Sequence, residues 1–367
     1  MEHLTAAEAL EALDGARAPE TDALASALAD HQFVGVAGPA ESGKSKLLRR
    51  VLAPHELSDE TAVVSINLDG AHGARHLAHR WLRAVARAAA GPIAFSHIAG
   101  MQRETWPGRT RRADHEARDV LRGDYEVALA PRATGAGLDA DAMERAIAAT
   151  KRLARGRATV VVVDHLEAPE LSGAFDVGDV LWQLRAASQR TKGMAVVVAC
   201  RPGAVALAAG EDAAFYGDGI WVTISPPTPE TWRFATGGWD RIDGICDLTN
   251  GHAWTTATLV DRISRSPRLS TRRAFEALAA EQDPLAARCV QHSASLHRLG
   301  PTLMLGIANG LGPYQAAPDA QSRDVAIAAQ RLELAGLAYR PQQRVWRLVN
   351  PVVARALHDP DLPGAER

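Results

Sequence analysis

QFVGVAGPAESGKSK, residues 32–46, sets an apolar run against a glycine-bounded polar loop and ends on two of the chain's four lysines. Its two halves demand different backbones. QFVGVA (32–37) shows no polar alternation, which marks a strand covered on both faces. Gly38-Pro39-Ala40-Glu41-Ser42-Gly43-Lys44-Ser45 satisfies the spacing G-x-x-x-x-G-K-[ST]. Gly38 and Gly43 allow backbone conformations that turn amide N–H groups inward on an anion. Lys44 brings a point charge and Ser45 a hydroxyl suited to magnesium. The helix expected over 43–53 offers its positive end. The pattern also arises by chance, but strand, loop and helix in this order are the context it needs. Residues 38–46, Lys46 included, are therefore read as a phosphate-gripping loop.

Outward from that loop the same logic repeats. AVVSINLD (62–69), ATVVVVD (158–164), MAVVVAC (194–200) and IWVTIS (220–225) are apolar, β-branched runs of strand length. Helical spacing separates them, most plainly at 72–90, which stops at Gly91-Pro92. Strands alternating with helices predict an α/β domain over 31–226 with a doubly wound, mainly parallel five-stranded sheet. Residues 4–14 and 20–30 carry two short amphipathic helices, taken together as an N-terminal unit (1–30). Between the second and third strands, 97–124 is polar and arginine-rich and precedes a helix at 138–155. That region reads either as a basic surface for a phosphate backbone or acidic partner, or as an insertion with a solvated face. Glu104, Asp114, Glu116 and Asp119 dilute its charge.

PPTPE (226–230) breaks the pattern and marks a boundary. Four short helices follow over 227–283, an all-helical segment. Over 284–367, helices near 285–310 and 322–335 precede two alternating runs flanking Pro341-Gln342-Gln343, the order of a winged helix-turn-helix.

The chain of 367 residues carries a formal net charge of -2, so no overall basic field announces nucleic acid. Three well-separated cysteines imply neither a disulfide framework nor a zinc site. MEHLTAAEALEALDGA has no basic region ahead of an apolar stretch, and the longest apolar runs are too short to span a bilayer. A soluble cytoplasmic protein without a membrane partner is expected.

A phosphate loop needs a second acid that holds magnesium, at the end of a neighbouring buried strand. VVVVDHLE provides Asp164. The next position is His165, where many hydrolysing proteins place a glutamate that polarises water. Glu167 and Glu41 are the substitutes within reach in sequence. At the end of the following strand, ACRPG puts Arg201 where a cation can sense a γ-phosphate, or can be a strand-end arginine paired with an acid. His72, His76 and His79 have metal-compatible spacing, but the arginines between them favour a solvated helix face. The eight tryptophans show no stripe, so packing is their default.

GPAESGKS, VVVVDH, ACRPG, the helical segment with LTNGHAW and the terminal winged helix together resemble the AAA+ superfamily, over roughly residues 30–355. Within it they look closest to the STAND-type signalling ATPases and the archaeal-ATPase and origin-recognition group. The resemblance implies ATP and Mg2+ as ligands. Gly38, Gly43, Lys44 and Ser45 would hold phosphate and magnesium, Asp164 would position the metal, and Arg201 would act as sensor. Where STAND members often carry Gly-x-Pro, this chain has Gly251-His252-Ala253, so contact between lid and nucleotide is open. The segment 203–219 has no arginine to serve as a finger, which argues against a ring motor. A slow ATP-gated switch with a protein partner or self-association is expected. The alternative is a DNA-binding regulator reading duplex DNA through 322–349, where Arg323, Arg331, Arg340, Arg344 and Arg347 sit beside Asp324 and Glu333.

Overall fold

The computed structural model describes residues 4–56, 60–99, 108–130 and 141–358. Five parallel strands form the central sheet: β1 (Phe33–Ala37), β2 (Thr61–Asn67), β3 (Ala158–Asp164), β4 (Met194–Cys200) and β5 (Ile220–Thr223), in the order β2-β3-β4-β1-β5. β4 lies between β1 and β3, with Ala37 opposite Cys200 and Asp164 opposite Ala199. The C-terminal ends of these three strands therefore share one edge, and the loop after β1 opens onto it. A second, antiparallel sheet pairs β6 (Ala338–Gln342) with β7 (Val345–Leu348).

The sheet is covered on both faces, as its unbroken apolar strands require. One face carries the helices Ala18–Asp30 and Lys44–Glu56, packed on Val34, Val36, Val162 and Val197. The other carries Ala74–Ala90, Ala142–Gly156 and Val177–Arg190, with Trp81 fully buried and its indole N–H donating to Thr150 Oγ1 at 3.0 Å. The arginine-rich region belongs to this layer. Helices Pro92–Ala99 and Gly108–Leu121 put Phe95, Ile98, Ala117 and Leu121 into the core, so the region is more than a solvated insertion. The helix expected over 138–155 is described from Ala142, and 138–140 lie outside the described residues, as does Glu104.

A separate core gathers the helices Pro229–Ala235, Ile242–Thr249, Ala253–Arg265 and Thr271–Glu281 around fully buried Trp232. Helix Ala6–Ala16 inserts Ala9 and Leu13 into that core, while Ala18–Asp30 packs on the sheet. Burying a leucine-sized side chain contributes roughly 1.5–3 kcal/mol, more than an exposed ion pair's ~0–1. Residues 1–30 are thus no unit of their own: the described part is split between two cores at Arg17.

The terminal unit follows after Gln282. Helices Asp283–Leu296, Gly300–Ala308 and Ser322–Leu334 pack with the β6–β7 hairpin. β6 continues through Pro341 and Gln342, and the turn falls at Gln343-Arg344, with Arg344 at φ 69°. The unit is joined to the four-helix core, because Val352 of helix Pro351–Ala356 is buried there and Arg355 approaches Glu276 at 3.8 Å.

His72 and His76 stack with ring centroids 5.3 Å apart, but His79 is buried at 3% exposure, so the three do not share a solvated face. No group of three metal-capable side chains occurs among the described residues. No helix among them is long and apolar enough to cross a membrane.

Candidate functional site

The loop after β1 curls back on itself before helix Lys44–Glu56 begins. Glu41 and Gly43 both take left-handed backbone conformations, φ 60° and 89°. Gly43 O accepts from the amides of Lys46 and Leu47, which closes the first helical turn around the loop. The remaining first-turn amides lack intrahelical acceptors, so the positive end of the helix faces the curl.

Lys44 reaches into that curl and donates from Nζ to Gly38 O at 2.7 Å and Pro39 O at 2.8 Å. Burial lowers its pKa, against the pull of Glu167 and Asp164. No carboxylate lies within ion-pair distance of it among the described residues. A half-desolvated ammonium held only by carbonyl dipoles, beside free helix amides, is matched to a polyanion. The residues thus fit a nucleoside triphosphate.

Ser45 Oγ donates to Asp164 Oδ2 at 2.8 Å, although 119 residues separate the two. The His165 amide donates to Asp164 Oδ1 at 2.9 Å, which orients the carboxylate. Hydroxyl and carboxylate are both hard oxygen donors, the kind magnesium takes while keeping several waters. The predicted metal pair, Ser45 and Asp164, is therefore brought together.

Next to it Glu167 is buried at 2% exposure. Its Oε1 lies 3.2 Å from Arg201 Nε and 3.6 Å from His165 Nδ1, and its Oε2 accepts the Arg201 amide at 3.1 Å. Burial alone would raise this carboxyl, but His165, the Arg201 charge and two backbone amides together hold it below its ordinary value. His165 sits at φ 62°, and its pKa is raised by the Glu167 contact, against burial, with Asp164 adding to the rise. Arg201 is thus a strand-end arginine paired with an acid, and that acid is Glu167. Both carboxylate oxygens of Glu167 are thus engaged by Arg201. Glu41 is drawn elsewhere: its carboxylate is 2.8 Å from His252 Nε2 and is lowered in pKa mainly by that contact.

The loop is approached from three other parts of the chain. His252 is the N-cap of helix Ala253–Arg265, accepting from the Thr255 amide, so it is a helix-start residue that also touches the loop. Arg201 Nη1 donates to Leu334 O, at the end of helix Ser322–Leu334. Gly336 follows at φ 69°; a Cβ placed there would lie 2.8 Å from Ala40 Cβ and 2.9 Å from Arg201 Cζ. Arg17 Nη1 donates to Ser42 O. A groove of about 540 Å³ opens between these parts, bordered by Leu13, Gly43, Lys46, Trp254, Leu285 and Asn350. Pattern reading missed Arg17, Trp254, Leu334 and Gly336, whose only signal is tertiary contact.

The candidate DNA-reading residues divide. Glu333 is buried, paired with Arg340 at 3.1 Å and packed on Gly203, while Asp324 pairs with Arg298. Arg347 donates to Asn250 Oδ1 and Arg331 to Leu296 O at 2.7 Å. Arg323 and Arg344 are exposed.

No family profile matches the chain, and neither does any curated sequence. Solved structures do match. The Walker-type ATPase of Pyrococcus abyssi superposes with a TM-score of 0.60 at 14% identity, covering 93% of this chain and 95% of that one. The ORC1 protein of Aeropyrum pernix, solved in complex with DNA, gives 0.42 at 13% identity over 93% and 91% of the two chains. A STAND protein with a tetratricopeptide repeat sensor from Pyrococcus horikoshii gives 0.35 at 12%, over 89% of this chain and 40% of that one. The likeness is one of fold: the chain shares the architecture of that Walker-type ATPase, with its five-stranded parallel sheet in the order β2-β3-β4-β1-β5.

Proposed function

We propose that the chain is an ATP-gated switch with slow turnover, in which phosphate binding at residues 38–46 changes how the terminal unit sits on the sheet. One observation carries this reading. Arg201, at the end of the strand beside the loop, commits a hydrogen bond to Leu334 O of the terminal unit. A γ-phosphate near Lys44 offers the same guanidinium a charged, bidentate acceptor in place of a neutral carbonyl. Arg201 therefore has two competing partners, one belonging to the ligand and one to the moving unit, which is the bistable element a switch needs.

In this reading Lys44 exchanges its loop carbonyls for phosphate oxygens, and helix Lys44–Glu56 contributes its free amides. Ser45 and Asp164 would hold magnesium, which would offset the charge of the triphosphate. The groove bordered by Trp254 and Leu13 takes the base. Turnover is slow because Glu167 is committed to Arg201, and His165, drawn to the same carboxylate, stands where a glutamate would otherwise polarise water. A protein partner, or a second copy, would read the terminal unit once it is released.

The His165 contact has a pH signature. Its folded pKa is raised above the unfolded value of about 6.5, so its stabilising contribution is complete below that pH and is lost as pH rises through the folded pKa. The wild-type protein should lose more thermal stability between pH 6 and pH 9 than His165→Asn. Parallel melting curves for the two proteins would contradict the assignment. Residual hydrolysis should rise over the same interval.

A second reading, duplex DNA binding through 322–349, is favoured by one finding: both acids of helix Ser322–Leu334 are engaged internally, leaving Arg323 exposed. The two readings separate by titrating the full chain with Mg-ATP and Mg-ADP, with and without duplex DNA, while following turnover and radius of gyration. The switch predicts tight nucleotide binding, a change in radius between the two nucleotides and no effect of DNA on turnover. Turnover that DNA strongly stimulates would favour the second reading. No nucleotide binding at all would end both.

A further inference from the structure

Arg17 stands out among the charged side chains that the nucleotide chemistry leaves unused. It is 5% exposed, yet no carboxylate among the described residues touches it. Burial lowers its pKa, against the more distant Glu20 and Asp14. A guanidinium taken out of water without a counter-ion is costly, so its placement needs a reason. Its Nη1 donates to Ser42 O in the phosphate loop, and its Nη2 donates to Ser225 O at 3.2 Å. The first partner is 25 residues away in sequence and the second 208.

Those two partners acquire meaning from the chain path. Helix Ala6–Ala16 belongs to the four-helix core, and Ala18–Asp30 belongs to the sheet. The chain therefore crosses between the two bodies at Arg17 itself. It crosses back between Ile224, buried beside the sheet, and helix Pro229–Ala235, buried in the other core. Ser225 sits in that return crossing, followed by Pro226 and Pro227. Beyond it the four-helix core continues into the terminal unit through Gln282 and shares Val352 with it. Among the described residues these are the two covalent crossings between the sheet and everything else. One guanidinium lies in the first, is bonded to the second, and is bonded to the loop that grips phosphate. Around it, Asp14 pairs with Lys46, and its backbone carbonyl accepts from Arg50.

Resting on the nucleotide-switch reading, we propose that Arg17 is a positioning residue that couples the phosphate loop to both crossing segments, so that a change in loop shape is transmitted to the helical and terminal units together. Arg17 acts through the Ser42 carbonyl and touches no reacting atom. A methionine keeps much of its bulk and removes both hydrogen bonds. A lysine keeps the charge but lacks the planar fork that bridges two carbonyls at once.

Trp254, at 41% exposure, lies on helix Ala253–Arg265 and borders the same groove as Arg17; Mg-ATP and Mg-ADP share the base, so the difference between its responses to the two reports the position of the helical unit against the loop. The test uses the full chain and records the Trp254 response to Mg-ATP and Mg-ADP, isolated by subtracting the spectra of W254F counterparts. Bound nucleotide is measured separately by calorimetry. Arg17→Met should still bind nucleotide, with a response per bound nucleotide reduced about fivefold or more, the size of an ordinary coupling factor. Arg17→Lys should fall between Met and wild type. A merely structural role would lower the melting temperature and leave the response per bound nucleotide untouched, and that result overturns the proposal. So does loss of response strictly in proportion to lost binding. Should Arg17→Met not fold, the lysine variant decides: a wild-type response from it overturns the coupling, and a reduced one supports it. Absence of nucleotide binding in the wild-type protein would instead sink the underlying switch.

Discussion

Lys44→Ala will abolish effective nucleotide binding while leaving the fold intact or slightly more stable. The second half of that expectation follows from the surroundings of the ammonium. Lys44 is half-buried, lowered in pKa by desolvation and, among the described residues, held by the carbonyls of Gly38 and Pro39. Removing a cation that has no bound counter-charge takes away a desolvation cost of several kcal/mol along with two charge-assisted hydrogen bonds of about 1.5–3 kcal/mol each, so the terms nearly cancel. The nucleotide complex is another matter. There the same ammonium would face phosphate, and truncating one member of a buried, hydrogen-bonded charge pair costs ~2–5 kcal/mol. That corresponds to a dissociation constant weakened roughly 30-fold or more. Calorimetric titration of Mg-ATP beside a melting curve checks both halves. An affinity within about threefold of wild type would remove residues 38–46 as the phosphate site. Asp164→Asn should behave differently, keeping nucleotide but losing dependence on magnesium, because the Ser45–Asp164 pair offers oxygens only to the ion.

The loop and its acid were legible because their signals are local. β-branched runs without alternation can only be covered strands, and the glycine spacing before Lys44 describes a backbone shape as much as a composition. The sheet follows from the same runs, which register Asp164 beside Ala199 and Ala37 beside Cys200. What stayed hidden depends on contacts made late in the chain. Helix Ala6–Ala16 has the same amphipathic spacing as its neighbour, and nothing in eleven residues says which of two cores will bury Leu13. Glu167 looked like a spare base because its sequence neighbours are catalytic candidates. Its role is set by Arg201, one strand away. The lone arginine between two helices carries no motif, yet its partners lie 25 and 208 residues downstream. His252, next to the Ala253 that stands at the proline position of the Gly-x-Pro pattern, serves as helix cap and loop contact at once, and only the fold brings Glu41 to it.

Gly336→Val should release the terminal unit from the sheet and accelerate nucleotide exchange. The position has φ 69°, where a β-branched residue is strained, by roughly 1–2 kcal/mol. Strain is the smaller part. A Cβ here would sit 2.8 Å from Ala40 in the phosphate loop and 2.9 Å from the guanidinium carbon of Arg201. Ala40 Cβ is tied to a loop that cannot yield without losing its shape, so Arg201 must move. Its bond to Leu334 O, a charged hydrogen bond of about 1.5–3 kcal/mol, then goes. The attachment of the terminal unit to the four-helix core, through Val352 and Arg355, is untouched. The two should therefore swing away from the sheet together. Gly310→Val provides the control. Gly310 has φ 79° in the same unit, but a Cβ placed there would meet nothing within 4 Å, so it shares the strain and lacks the collision. Faster release of fluorescent ADP and a larger radius of gyration in Gly336→Val, with Gly310→Val close to wild type, is the expected pattern. Equal behaviour of the two variants would mean that the terminal unit does not gate the loop. In that case the Arg201–Leu334 bond is packing, and the competition between phosphate and carbonyl has no consequence for exchange.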